Sequence, residues 1–314
     1  MAEKDIVTKN LEYYNDVFSD IVNGLLFDGE KVIKEEELTP ADRGSHYKAD
    51  GKIRSQERDV SKFWKNANIK IAFIGIENQS AVDKAMPLRV ISYDGAEYRK
   101  QYRKKGKNKK YYPVITLVIY FGREDWGFGK NLRDCLDIPE KLSEFVSDYK
   151  MNFYSVKDMD GKQIAKFTSD FKVITEFFNS LNNGTEYHPT NQKLVHAEEV
   201  LDMIGVFSGD GRFRNEYNLM NDEIRKGGVT MCEIYDKIQQ EGIEKGIKKG
   251  ISIGEEKGRA EGRAEGEKTG ILKGFIMALV GLVKDGVLTL AEAAKRADMT
   301  VEEFEMQSKL YAGQ

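Results

Sequence analysis

Two stretches of this chain are apolar at alternate positions and at the positions between: "IKIAFIGI" at 69–76 and "YPVITLVIYFG" at 112–122. A strand with one wet face alternates, so runs apolar on both faces belong in the middle of a sheet covered from both sides. Between them a helix is expected over about 86–103, opened by Pro87 in its first turn. A further strand is expected at 151–156, "MNFYSV", and a short polar one near 52–60, "KIRSQERDV". Leu11, Tyr14, Phe18, Ile21, Val22 and Leu25 fall at helical spacing and predict one helix across 10–27, ended by "DG". Residues 30–52 are charged and turn-rich, and helices are expected after 156 through about 238. The first 185 or so residues therefore predict an α/β domain with a mixed sheet.

Charge and cysteine content narrow the chemistry. The 314 residues carry a formal charge of −3, so any surface for a polyanion must be a local patch. Cys135 and Cys232 lack CxxC spacing, which fits a reducing cytoplasm and argues against a disulfide framework or a zinc cluster. His46, His188 and His196 form no pair with metal-ligand spacing, so zinc hydrolysis and Ser/His or Cys/His catalysis are poorly supplied. The longest late apolar run, "FIMALVGLV" at 275–283, is about half of a bilayer span, and "MAEKDIVTKN" lacks a signal peptide's apolar stretch. A membrane location is not expected.

Beyond residue 240 the composition changes. Glycine recurs every fourth residue from Gly242 to Gly274. Each costs a helix about 1 kcal/mol relative to alanine, which leaves two accounts open. One is a charged, semi-flexible tether. The other is a helix whose glycine stripe winds around it and admits a close partner helix. In the final forty residues, Thr289 with Glu292 and Thr300 with Glu303 form capping boxes, so helix, turn and helix are expected. The last helix carries Glu302, Glu303 and Glu305, the wrong sign for a DNA groove, so protein contact or self-association is the better use. The divisions expected are 1–185, 186–240, 241–274 and 275–314.

The opening strand ends unusually: "IKIAFIGIENQS" turns polar at Glu77 and Gln79. Alternation sets Ile71, Phe73, Glu77 and Gln79 on one face, with Gly75 leaving that face open, and Ala72, Ile74 and Ile76 on the other. A carboxylate ending a doubly buried strand costs several kcal/mol unless it is paired or bound to a cation. A second carboxylate on a neighbouring strand would complete a hard-oxygen site for Mg²⁺. Asp59 is the natural partner if the strand near 52–60 pairs with 69–79 as a hairpin; Glu57 competes for the same face. The plainer alternative is that Glu77 salt-bridges a lysine or arginine at the rim of the sheet.

"GIENQS", preceded by "RDVSKFW" and followed by "MPLRVISYD", resembles the Rpn family of recombination-promoting nucleases, also labelled transposases, within the PD-(D/E)XK nuclease superfamily. The resemblance covers roughly residues 10–185, and the glycine-repeat tail and terminal helices look like extensions common in these proteins. It implies a PD-(D/E)XK-type mixed sheet flanked by helices, followed by an α-helical C-terminal extension. Asp59 matches the family's Asp, Glu77 its Glu and Gln79 the last position of its E-x-K. An acid on the first helix often joins them; Asp16 is the best match, with Asp20 one turn later. Gln79 offers only neutral hydrogen bonds where the superfamily has lysine, but the Rpn family itself favours glutamine there. The implied activity is Mg²⁺-dependent DNA hydrolysis that promotes recombination or acts on mobile or foreign DNA. Asp59 and Glu77 would hold the ion and Gln79 would orient water.

Substrate grip has its own candidates. "YRKQYRKKGKNKKYY" at 98–112 sets Arg99, Lys100, Arg103, Lys104, Lys105, Lys107, Lys109 and Lys110 among four tyrosines. Such a loop could grip phosphates while its tyrosines stack on unpaired bases, or it could be solvated with its tyrosines on the sheet. Arg89 and Tyr93 share a helix face and could reach the phosphate, though core packing suits Tyr93 equally. Partners expected are DNA and further copies of this chain through the C-terminal helices.

Overall fold

A computed structural model describes residues 3–41, 44–49, 52–66, 69–103, 110–219 and 228–312, with backbone alone at 5, 44–49, 52–57, 69 and 312. It contains two compact units, 1–239 and 240–314. In the first, β1 (Leu38–Pro40), β4 (Val60–Asn66), β5 (Ile69–Gln79), β6 (Val114–Tyr120) and β7 (Asn152–Ser155) form one sheet in the order β1-β4-β5-β6-β7. The β1, β4 and β5 neighbours are antiparallel; β5 with β6 and β6 with β7 are parallel. The sheet is mixed, and helices flank it, as the α/β expectation required. β2 (Gly44–Ala49) and β3 (Lys52–Glu57) make a separate antiparallel hairpin.

The doubly apolar strands sit at the centre; β6 divides its side chains between two cores and β5 feeds the larger one. Ile74, Ile76, Leu117 and Ile119 point into the larger one. That core is built by α1 (Glu3–Glu12), α2 (Asn15–Leu26), α5 (Phe171–Asn183), α6 (Ala197–Ser208), α7 (Arg212–Leu219) and the start of α8 (Met231–Lys284), which supplies Met231, Ile234 and Ile238. A one-turn helix, α4 (Gly161–Ile164), precedes α5. On the opposite face α3 (Met86–Arg103) lays Met86, Val90 and Tyr93 on Val118 and Tyr120. The helix expected at 86–103 and the strands expected at 69–79, 112–122 and 151–156 are all present, the last two trimmed at their ends.

Three local expectations need correction. The helix expected over 10–27 breaks at Tyr13–Tyr14 into α1 and α2. Lys62, buried on β4, donates to the Tyr13 carbonyl at 2.5 Å and to Asn15 Oδ1, fixing the turn between the helices. The strand expected at 52–60 divides as well: 52–57 belongs to the hairpin, and the strand beside β5 begins at Val60. Glu57 therefore pairs in the hairpin, opposite Gly44, and Asp59 lies in the bend before β4. Residues 38–40 and 44–49, within a stretch expected to be turns, are strands.

In the second unit the glycine repeat is helical. α8 runs unbroken from Met231 to Lys284. Its last turns pack Ile276 and Leu279 against α9 (Leu290–Arg296) and α10 (Val301–Ala312). Both capping boxes form, with the Thr289 and Thr300 amides donating to Glu292 and Glu303 at 2.8 Å. Among the described residues no helix is long and apolar enough to cross a membrane.

Candidate active site

The antiparallel register of β4 and β5 pairs Val60 with Ile76, so the bend that carries Asp59 lies beside Glu77 and Asn78. Asp59 Oδ2 accepts the Asn78 backbone N–H at 2.7 Å, and its Oδ1 meets Lys9 Nζ of α1 at 3.0 Å. Glu77 is 3% exposed. Its Oε1 accepts from the Arg89 guanidinium, and the Tyr93 hydroxyl and Gln79 Nε2 lie at 3.4 and 3.5 Å, the outer limit for such bonds. Its Oε2 is buried with no hydrogen-bond partner.

The acid that reaches this strand end from the first helical segment is Glu12. Its Oε2 accepts from Asn78 Nδ2 at 2.8 Å, and its Oε1 is buried without a donor. Alternation puts the Asn78 side chain, and Glu12 with it, on one side of β5 and Glu77 on the other. Asp59 bonds to the amide that joins the two residues. Asp16 is elsewhere, with both of its oxygens 3.0–3.1 Å from His196 Nε2, and His196 stacks on Tyr14 at 3.7 Å. Asp20 caps the segment before α5, accepting the Thr168 and Ser169 amides and hydroxyls. The helix break explains the exchange: on a continuous 10–27 helix Asp16 and Asp20 share a face, whereas the break turns them away and leaves Glu12 at the end of α1.

Electrostatics mark the same place. Burial pushes the Glu77 carboxyl up to about 8; the charge of Asp59 adds to the rise, while Arg89 and the Tyr93 hydroxyl oppose it. Burial also holds Glu12 well above the usual carboxylate range, with Asp59 and Glu77 contributing and the Asn78 amide and Lys9 opposing. Burial works against the charge on Arg89, yet Tyr93, Glu77 and Asp83 outweigh it and raise the guanidinium above its ordinary range. Among the described residues no three His, Cys, Asp or Glu side chains gather closely enough to hold an ion unaided. The donor set still fits Mg²⁺, which takes one or two carboxylates and completes its shell with water and phosphate. Asp59 and Glu77, whose Oε2 is unpartnered, are carboxylates of that kind at one strand end.

The gap at Gly75 is filled. A Cβ there would run into Arg58 Cδ. Arg58 threads across the strand to donate to Asp94 at 2.7 Å and Thr116 at 3.1 Å, and Tyr149 closes the network with a 2.5 Å bond to Asp94. Arg58 directly precedes Asp59, so this buried anchor fixes the bend. Lys9, Glu12, Arg58 and Asn78 escaped the sequence reading. The glycine at 75 was their one visible signal, since it marks a close approach on that face.

Of the basic segment, Arg99, Lys100 and Arg103 lie on the last turns of α3 and Lys110 is exposed; Lys104, Lys105, Lys107 and Lys109 lie outside the described residues. Lys100 reaches Glu97 at 3.7 Å. The tyrosines divide. Tyr98 accepts the Val114 amide at 3.1 Å and Tyr112 donates to Glu97 at 2.9 Å, while Tyr102 and Tyr111 are each 62% exposed. Arg89 and Tyr93 both turn to Glu77.

Fold and site together define an α/β domain with a mixed five-stranded sheet and buried acids gathered at one strand end. More narrowly, residues 53–200 match the sequence model of a family described as "Putative transposase, YhgA-like", which bears out the resemblance to the Rpn group over that segment. The match includes Asp59, Glu77 and Gln79 and excludes Glu12. No curated protein and no solved structure matches the chain.

Proposed function

We propose that the 1–239 unit is a Mg²⁺-dependent DNA endonuclease acting in the cytoplasm, in recombination or on mobile or foreign DNA. The family match points to a nuclease-like role in DNA transposition or recombination. The observation that carries the finer reading is the buried Glu77 carboxylate, with Oε2 unpartnered, beside Asp59 in the bend that precedes the adjoining strand. Asp59 and Glu77 are the residues that would hold the ion. When bound, it would supply positive charge against the phosphate oxygens and a more acidic water. Gln79, two residues on and sharing the Glu77 face, offers an amide to orient that water. Arg89, half-exposed, is placed to meet a phosphate oxygen, and Tyr93 and Asp83 aim its guanidinium. Arg58 holds the Asp59 bend.

Plasmid nicking tests the reading. The wild type should cut with Mg²⁺ and not with EDTA, and Asp59→Asn and Glu77→Gln should match the EDTA control. Cutting that survives both substitutions rejects it. A second reading, a DNA-binding domain without cleavage, is favoured by the Arg89–Glu77 ion pair, which already gives the carboxylate a cation. Binding by all three proteins with nicking by none would select that reading. For α8 the proposal is self-association: Ile243, Ile247 and Ile251 are more than half exposed and follow one another at four-residue spacing beside the glycines.

A further inference from the structure

Just past Gln79, at the C-terminal ends of β5 and β6, a cavity of about 450 Å³ opens inside the first unit. Ser80 and Ala81 continue β5 along its wall, and Phe178, Leu181 and Phe207 make it apolar on one side. Asn182 donates to the Phe121 and Gly122 carbonyls at 3.1 and 3.3 Å, which fixes the loop leaving β6. Two cations enter it: Lys4 of α1, whose Nζ stands 5.0 Å from the Phe207 ring centre, and Arg123 from the loop. Among the described residues neither has a carboxylate partner within ion-pair distance, although Glu124 also lines the space. Elsewhere in this unit Lys9, Arg58 and Arg89 are each paired with a carboxylate. Two left without a counter-ion beside an apolar wall call for a ligand that is anionic at one end and flat and apolar at the other.

We propose that this cavity takes one nucleotide of the DNA strand being cut, its phosphate between Lys4 and Arg123 and its base and sugar against the Phe178–Leu181–Phe207 wall. The inference rests on the DNA-cutting reading and names its substrate subsite. Two elements tie the cavity to the acids: Ser80 adjoins Gln79, and α1 carries both Lys4 and Glu12. Eight residues of helix separate that pair by on the order of 12 Å, a few nucleotide steps at about 3.4 Å each. The volume lies within the range usual for small-ligand sites. The apolar wall offers stacking and contact surface rather than a hydrogen-bond pattern, so the subsite accepts any base.

The test measures binding without turnover. Fluorescence anisotropy follows a labelled single-stranded oligonucleotide in EDTA, with the full chain as wild type, as Lys4→Glu/Arg123→Glu, and as Ala81→Trp, which sets a large ring on the cavity lining without changing charge. Lys141→Glu/Lys162→Glu, exposed and outside the cavity lining, is the charge control. The first pair should weaken binding by about tenfold or more and lower the salt slope by about 0.7, the share of one single-strand phosphate contact. Ala81→Trp should weaken binding comparably, and the control should not. If the reversal lowers stability in a melting check, Ala81→Trp carries the test alone. Wild-type affinity in Ala81→Trp, or an equal loss in the control, overturns the subsite while DNA binding itself stands. Free dTMP binding as tightly as the strand assigns the cavity to free nucleotides and also overturns it. A wild type that binds no DNA removes the subsite and the DNA reading together, and metal-dependent nicking then stays negative as well.

Discussion

At the scale of single residues, two buried charges govern this domain in opposite ways. Arg58 is paired in full, with Asp94, Thr116 and the rings of Phe73 and Tyr93 around it. Breaking such a pair leaves a buried charge and costs about 3–5 kcal/mol. Gly75→Ala should displace the guanidinium and destabilise the protein by about that amount in urea titration, with m unchanged. Loss of less than about 1 kcal/mol would mean that Arg58 has another route across β5. Lys62 is buried with only neutral partners, and burial lowers its amine to about 8, with the Asp16 charge opposing. Its folded-state value lies below the unfolded one of about 10.4, so the folded protein gives up the proton first. Stability is therefore lower below pH 8 and rises as the pH climbs from about 8 towards 10.4. The rise should appear in the urea midpoint of the wild type and vanish in Lys62→Met.

At the scale of elements, α8 is the surprise of the chain. Nine glycines in a row of four-residue spacings cost several kcal/mol of helix propensity, and yet the helix runs through them. Lysine, arginine, glutamate and alanine between the glycines are good helix formers, and Glu241–Lys245 and Glu255–Arg259 add ion pairs at i,i+4. No atom lies within 4 Å of a Cβ added at Gly254, Gly258 or Gly262. Alanine at all three should therefore raise the thermal midpoint of the far-UV signal, by up to about 3 kcal/mol of added helix stability. If the glycine stripe admits a partner helix, the same triple variant lowers the mass seen by light scattering. An unchanged mass, both in it and in Ile247→Glu/Ile251→Glu, rejects assembly through α8.

At the scale of the whole molecule, the proposed metal site would link ion binding to the folding of the first unit. An ion bound only by the folded state stabilises it by RT ln(1 + [L]/Kd), about 2.7 kcal/mol at a hundredfold excess over Kd. Mg²⁺ or Mn²⁺ should raise the melting temperature of the wild type and leave Asp59→Asn and Glu77→Gln where they are. An equal rise in all three places the ion elsewhere. The same linkage works through protons, since Glu77 is held near 8 by burial. Its raised value means that the charged form is disfavoured on folding, so removing the carboxylate should not unfold the protein.

Periodicity and capping signals carried the central strands, α3 and the terminal helices, because each depends on neighbours within a few residues. Glu77 and Gln79 stood out because polar groups that end a doubly buried strand are costly enough to be informative. What the linear order could not hold was which distant groups meet there. The turn at Tyr13–Tyr14 depends on an amine reaching from β4, the bend at Asp59 on a guanidinium crossing to α3 and β6, and the choice of Glu12 over Asp16 on both. Those contacts join segments tens of residues apart, and burial rather than local propensity selects them.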